Sequence, residues 1–270
     1  MTSFLDRPLT TLAFCWRLER RDGVALGFTA HDRDLLIDGL VYRAAPGMAP
    51  SAVTLADGFD AGSMDVAGAL SADGISEEDL EAGRWDGAGV RLFAVDWEAP
   101  GETVLLARGE LGAAERAGAA FTAELRGPAA VLERAVVEQT SPECRATLGD
   151  RRCRVDLAGR RALATVVSAD GAALEMDRGE ASANAHGYGI LRWIDGANAG
   201  LSAAILSSAG NGILLRDPPA LPVAVGDRAE LIEGCDRSFA TCRTRFGNAA
   251  NFRGEPHLPG NDLLTRYPGG

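Results

Sequence analysis

Apolar and polar positions alternate with a period of two through much of the first 130 residues. The runs Thr11–Glu19 and Val24–Thr29 are separated by Asp22-Gly23, and Leu35–Ile37 and Leu40–Arg43 by Asp38-Gly39. Asp-Gly between apolar runs favours the primed turns that match strand twist, so two hairpins are predicted. The period changes at "SEEDLEAGRW" (76–85). Ser76 can cap a helix there, three acids fill its first turn, and Gly83 can end it. Strand-like alternation returns at 90–97, 102–111 and 119–127. A second helix is predicted over 128–139, with Pro128 near its first turn.

The polar, basic stretch "TSPECRATLGDRRCRVD" (140–156) interrupts the pattern. Beyond it, short strands are predicted within 161–170, 172–179, 187–196, 212–218 and 227–234, with Gly, Asp and Asn turns between them. Such spacing suggests a small barrel or sandwich. "SADG" occurs at 71–74 and again at 168–171, without a sustained repeat. The predicted class is mainly β. An N-terminal β domain (1–140) with one or two short helices precedes a second, small β-barrel (141–233) and a C-terminal Cys-rich segment (234–270).

Composition narrows the function classes. The 270 residues, 46% of them apolar, can bury a sizeable core, so no staple is needed merely to fold. The net charge is −11, and every base is Arg. That acidity argues against general binding to nucleic acid or anionic membrane. No stretch approaches the roughly 18–20 apolar residues of a membrane span, so no membrane insertion is expected. The N-terminal "MTSFLDRPLTTLAFCW" does not have the form of a signal peptide, and synthesis and folding in the cytoplasm are expected.

Five cysteines remain to be explained. Cys15 sits inside an apolar strand, where a lone cysteine behaves as a small buried apolar residue. The others form two pairs, Cys144/Cys153 (C-x8-C) and Cys235/Cys242 (C-x6-C), on either side of the second β region. If that region is a compact barrel whose two ends lie close together, all four thiols can meet at its base. Four thiolates suit an iron–sulfur cluster or a four-cysteine zinc site. Structural zinc favours tighter spacings, whereas a cubane binds each cysteine to a different iron. Arg145, Arg151, Arg152, Arg154, Arg237, Arg243 and Arg245 flank the cysteines and can neutralise an anionic cluster or donate to its sulfurs. The alternative for the arginines is a solvated basic face, and for the cysteines two disulfides. Spacing and charge alone leave cluster, zinc and disulfides open.

The segment "CDRSFATCRTRFGNAANFRGEPHLPGND" (235–262) and the N-terminal "LGFTAHDRDLLIDGLVYRAAPGMAPSAV" (26–53) add a resemblance. Both resemble the tail hub family of gene transfer agents and phages, with remote kinship to the tail-tip protein of lambda-like phages. The likeness extends over nearly the whole chain and is strongest at 25–55 and 235–262. It implies a 4Fe-4S cluster held by Cys144, Cys153, Cys235 and Cys242, with zinc and disulfides less favoured. Arg245-Phe246-Gly247-Asn248 and Asn251-Phe252 match the family's loop after the second pair. The implied role is structural. A homotrimeric ring at the tail tip or baseplate would join the distal tail protein to the tail tip or fibre (megatron-like) protein, and DNA would pass through its lumen without specific binding. A negative lumen would repel the passing DNA.

Enzyme readings are weaker. A tail-tip cysteine peptidase needs an activated thiolate with a His base in reach, and Cys15 is predicted mid-strand. His31 stands beside Asp32 and Asp34 in "AHDRD", a pattern that more often marks a turn than a dyad. His186 falls in a loop and nothing marks it out, and nothing makes His257 a ligand. No P-loop, G-x-S-x-G or H-E-x-x-H occurs. A redox iron–sulfur protein is a further alternative, but no G-x-G-x-x-G follows a strand. Helix geometry constrains the second pair as well. A C-x6-C pair on one straight helix would be separated by about 10 Å of rise, so a helix beginning at Asp236 or Ser238 is expected, with Cys235 before it and Cys242 on it. The Gly/Asn/aromatic loop after Cys242 is expected to fold over the cluster, its structure imposed by the metal.

Overall fold

The computed structural model describes residues 11–44, 49–50, 63–69, 75–117, 120–127 and 137–258. The chain divides into two compact units, 1–136 and 137–270. The helix predicted over 128–139 falls mostly outside the described residues.

The first unit contains β1 (Leu12–Glu19), β2 (Ala25–Thr29), β3 (Leu35–Ile37), β4 (Leu40–Ala44), β5 (Ala49–Pro50), β6 (Ser63–Ala69), α1 (Glu77–Glu81), β7 (Gly89–Asp96), β8 (Thr103–Ala117) and β9 (Ala120–Arg126). They form one nine-stranded sheet in the order β3-β4-β2-β1-β7-β8-β9-β6-β5. Both predicted hairpins are present, β1 with β2 and β3 with β4. The second turns through Asp38 and Gly39, both at positive φ, as a primed turn requires. The hairpins join unexpectedly, because β2 pairs with β4 in parallel. Local turn signals specify a hairpin but carry no information about which strand a hairpin then meets.

The pleat gives this sheet two buried faces. On one, Trp16, Leu18, Phe28, Val90, Leu92 and Leu111 pack with Ile75 and Trp85. On the other, Ala13, Cys15, Leu35, Ile37, Tyr42, Phe93 and Val95 pack together. Alternate residues of β1 serve opposite faces, as a period of two demands. Each fully buried large side chain contributes about 1.5–3 kcal/mol. α1 is short, and its cap is the one expected: the Ser76 side chain accepts from the Asp79 amide.

The second unit contains β10 (Arg161–Asp170), β11 (Ala173–Met176), β12 (Ile190–Trp193), β13 (Ser202–Ala209), β14 (Gly212–Leu215), β15 (Arg228–Ile232) and α2 (Phe239–Thr244). Its six strands close into a barrel in the order β10-β11-β14-β13-β12-β15. The interior is filled by Val166, Leu174, Met176, Leu191, Trp193, Ile205, Leu215 and Leu231, among others. β13 was not among the predicted strands. Its sequence, "SAAILSSA", is mostly Ala and Ser, so the hydrophobic alternation is faint; Ile205 and Ser208 are nevertheless buried.

Barrel closure positions the site. β10 and β15 are adjacent, with Arg161 paired to Ile232. The chain therefore enters and leaves the barrel at one point. The segment bearing Cys153 leads into β10, and Cys235 follows β15 almost at once.

Candidate metal centre

Cys144 and Cys153 are each hydrogen-bonded to the C-terminal segment that carries Cys235 and Cys242. The Cys144 amide donates to the Arg237 carbonyl (2.9 Å), and the Cys144 sulfur accepts from the Arg253 amide (3.4 Å). Arg237 also donates its amide to the Cys235 sulfur (3.4 Å). It does so at φ 61°, a left-handed conformation uncommon for a residue with a Cβ. Cys144 and Cys235 are thereby joined through one residue's backbone. Asn248 joins the other two. Its Nδ2 donates to the Cys153 carbonyl (2.6 Å) and lies 3.7 Å from the Cys153 sulfur, and its amide donates to the Cys242 carbonyl (2.9 Å). The two pairs, C-x8-C and C-x6-C along the chain, are thus linked through the backbone of Arg237 and through Asn248.

Local sequence explains the placement. Asp150 accepts from the amides of Thr147, Arg152 and Cys153, which curls 147–153 into a turn and holds the Asp150 carboxyl below its usual range. Ser238 caps α2 by accepting from the Thr241 amide, so the helix starts at the later of the two expected positions. Cys235 stands in the extended lead and Cys242 on the helix. Two glycines allow close backbone approach. A Cβ on Gly234 would lie 2.1 Å from the Gly187 carbonyl oxygen, and one on Gly254 would lie 2.5 Å from that of Glu143.

All five cysteines are free thiols. Burial pushes the Cys235 thiol up, with further contributions from Asp236, Cys153 and Cys144. Burial also raises Cys242, with contributions from Cys144, Cys235 and Cys153. Among the described residues, no group of three or more His, Cys, Asp or Glu is drawn together tightly enough to hold a metal ion.

The flanking arginines divide by role. Arg145 makes a two-pronged contact with Glu255 (2.7 and 2.9 Å), which pulls the Glu255 carboxyl down to about 2. Arg152 pairs with Glu138. Arg245 and Arg160 share Glu233 (2.8 and 2.7 Å), and both guanidinium groups lie over the Phe246 ring, at 5.0 and 4.8 Å from its centre. Arg151, Arg154 and Arg243 are exposed. Among the described residues, arginine reaches the sulfurs by backbone amides, of Arg237 and Arg253, rather than by guanidinium groups. The loop after Cys242 has protein contacts of its own. The Asn251 side chain donates to Asn248 Oδ1 (2.7 Å), and Phe252 meets Phe239 edge-on at 5.1 Å. Sequence reading passed over Asp150, Glu233 and Glu255, which no spacing rule marks, and matched Asn248 without giving it a role.

The remaining candidates do not join this centre. Cys15 is fully buried in β1, its sulfur 3.4 Å from the Thr29 hydroxyl, and burial raises its thiol, the reverse of an activated nucleophile. His31 Nδ1 accepts from the Arg33 amide (3.1 Å), lies 3.1 Å from Asp32 and has its ring 5.0 Å from Trp97, a turn-side arrangement at an open hollow. His257 is exposed. His186 is buried with its Nδ1 unpartnered, which its loop sequence gave no hint of.

Comparisons with known proteins bear on both units. Residues 1–156 match a family described as baseplate hub protein, N-terminal attachment domain. Residues 184–262 match a family described as phage conserved hypothetical protein BR0599, and that match includes Cys235 and Cys242. No curated protein matches the chain. Among solved structures, a chain in the virion of a native gene transfer agent particle is similar at 39% identity and a TM-score of 0.87. The alignment covers 98% of this chain and 94% of that one.

Proposed function

From a chain that belongs to the phage baseplate hub family, we propose a hub subunit whose two units are fastened into a tail-end ring and whose second unit is cross-linked by a 4Fe-4S cluster. Its general place, a structural component of a phage-like tail or baseplate, follows from the family. The ring, three-fold in this reading, joins the distal tail protein to the tip or fibre protein. The cluster ligands are Cys144, Cys153, Cys235 and Cys242.

The observation that supports the cluster is that the segments bearing the two cysteine pairs are hydrogen-bonded to each other where the chain enters and leaves the barrel, Cys144 to Arg237 and Arg253, and Cys153 to Asn248. Neighbouring buried thiols repel one another as thiolates and gain from a shared cationic centre. Amides of Arg237 and Arg253 and the Asn248 side chain point at sulfurs, the donor set that iron–sulfur ligands use. When bound, the cluster supplies iron–thiolate bonds that tie the segment before β10 to the segment after β15. Zinc fits less well, because the C-x8-C and C-x6-C spacings are wider than the tight pairs that structural zinc favours.

The charge supports passage of DNA through the lumen. Residues 1–136 hold 22 acids against 12 arginines, whereas residues 137–270 hold 16 against 15. A negative lumen would be lined by the first unit, and images of particles with its carboxylates facing outward would count against this. For the cluster, anaerobically purified protein should be brown, with about four irons per chain. A colourless preparation carrying zinc would overturn it.

A further inference from the structure

We propose that Asn248 is the positioning residue of the four-cysteine site. It presets Cys153 and Cys242 as an inner pair and places a side-chain N–H against the Cys153 sulfur.

The four cysteines differ in exposure. Cys153 and Cys242 are 8% and 7% exposed, whereas Cys144 and Cys235 are half-buried. The two links differ as well. Arg237 joins the outer pair by its backbone alone. Asn248 joins the inner pair partly through its side chain. Nδ2 faces the Cys153 carbonyl and sulfur, the Asn248 amide donates to the Cys242 carbonyl, and the Asn248 carbonyl accepts from the Cys242 thiol (3.4 Å). The amide orientation is fixed by Asn251, whose Nδ2 donates to Asn248 Oδ1. Flipping Asn248 would set two N–H groups against each other and turn its oxygen towards two acceptors. Cys153 and Cys242 are 89 positions apart in sequence, and Asn248 holds both in register before any metal is considered.

A donor on a ligand sulfur withdraws electron density, which favours the reduced state of an iron–sulfur centre and raises its potential. Aspartate at 248 would replace the donor with an anion. This redox consequence rests on the cluster reading; the positioning role does not.

The test uses the full-length protein and two readouts. In metal-free, reduced protein, iodoacetamide followed by mass mapping should modify Cys144 and Cys235 before Cys153 and Cys242. Asn248→Ala should speed alkylation of Cys153 about fivefold, the effect of losing one hydrogen bond, and leave Cys144 unchanged. In anaerobically iron-loaded protein, Asn248→Ala should keep the wild-type iron content and move the midpoint potential to more negative values, with Asn248→Asp moving it further. An unchanged Cys153 rate overturns the proposal, as does a potential that both variants leave at the wild-type value. If wild-type protein takes up no iron, the cluster reading fails on its own, and the alkylation rate decides the role of Asn248.

Discussion

His186 lies against the network that joins α2 to the barrel. Burial pushes its imidazole below the ordinary value, and Arg245 pushes the same way, while Glu233 and Glu180 act in opposition. The native state thus holds His186 neutral where the unfolded chain would bind a proton. The stability so gained is complete above the unfolded value of about 6.5 and is lost as pH falls towards the lower folded value. Thermal denaturation of the second unit should therefore shift downward between pH 7 and pH 5, and His186→Gln should flatten that dependence. An equally steep profile in the variant would remove His186 as the cause. A second, more acidic loss is expected from Glu255, whose stabilising ionisation is present above about 4.5 and is lost towards about 2; Glu255→Gln should lack it. At this scale the sequence was legible for the burial of Cys15, a lone cysteine in an apolar strand. It was mute for Asn248 and Glu233. Their meaning lies in partners such as Cys153 and Arg160, 95 and 73 positions away, which only barrel closure brings near.

The barrel and α2 show how elements do this positioning. Most strands were readable because β-branched and long apolar side chains alternate with polar ones. β13 was not, since Ala and Ser carry almost no periodic signal and its place is set by the neighbours β12 and β14. The helix start at Ser238 was readable from cap chemistry and helix rise. The glycine at 234 was visible but its necessity was not. Its amide donates to the Ala185 carbonyl (3.2 Å) while the chain passes against Gly187 and Gly189. Gly234→Ala would force that crossing apart and displace Cys235, costing about 1–3 kcal/mol by overpacking. Ser238→Ala would cost about 1 kcal/mol by removing the cap. Denaturant titration of both variants distinguishes them. The cap loss should be the smaller, and a Gly234→Ala protein of wild-type stability would mean that the crossing is looser than described.

For the molecule as a whole, the family was foreseeable from motifs near both ends. The order of strands in the first sheet was not, because the parallel β2–β4 pairing depends on non-local contacts. The two units also respond differently to loss of a cysteine. Cys144 belongs to the second unit, where its amide and sulfur engage Arg237 and Arg253. Cys15 belongs to the buried face of the first, where Phe93 and Tyr42 share its cluster. Cys144→Ser should lose iron and lower the unfolding transition of the second unit while the transition of the first stays in place. Cys15→Ser should do the converse, destabilising the first unit by placing a hydroxyl at a fully buried position and leaving iron unchanged. Differential scanning calorimetry with iron analysis on the same samples reads both. If the two variants lowered a single common transition, the units would be unfolding together, and a cross-link in one would then stabilise the entire subunit. If Cys144→Ser kept all its iron, the four-cysteine ligand set would be wrong, whatever happened to stability.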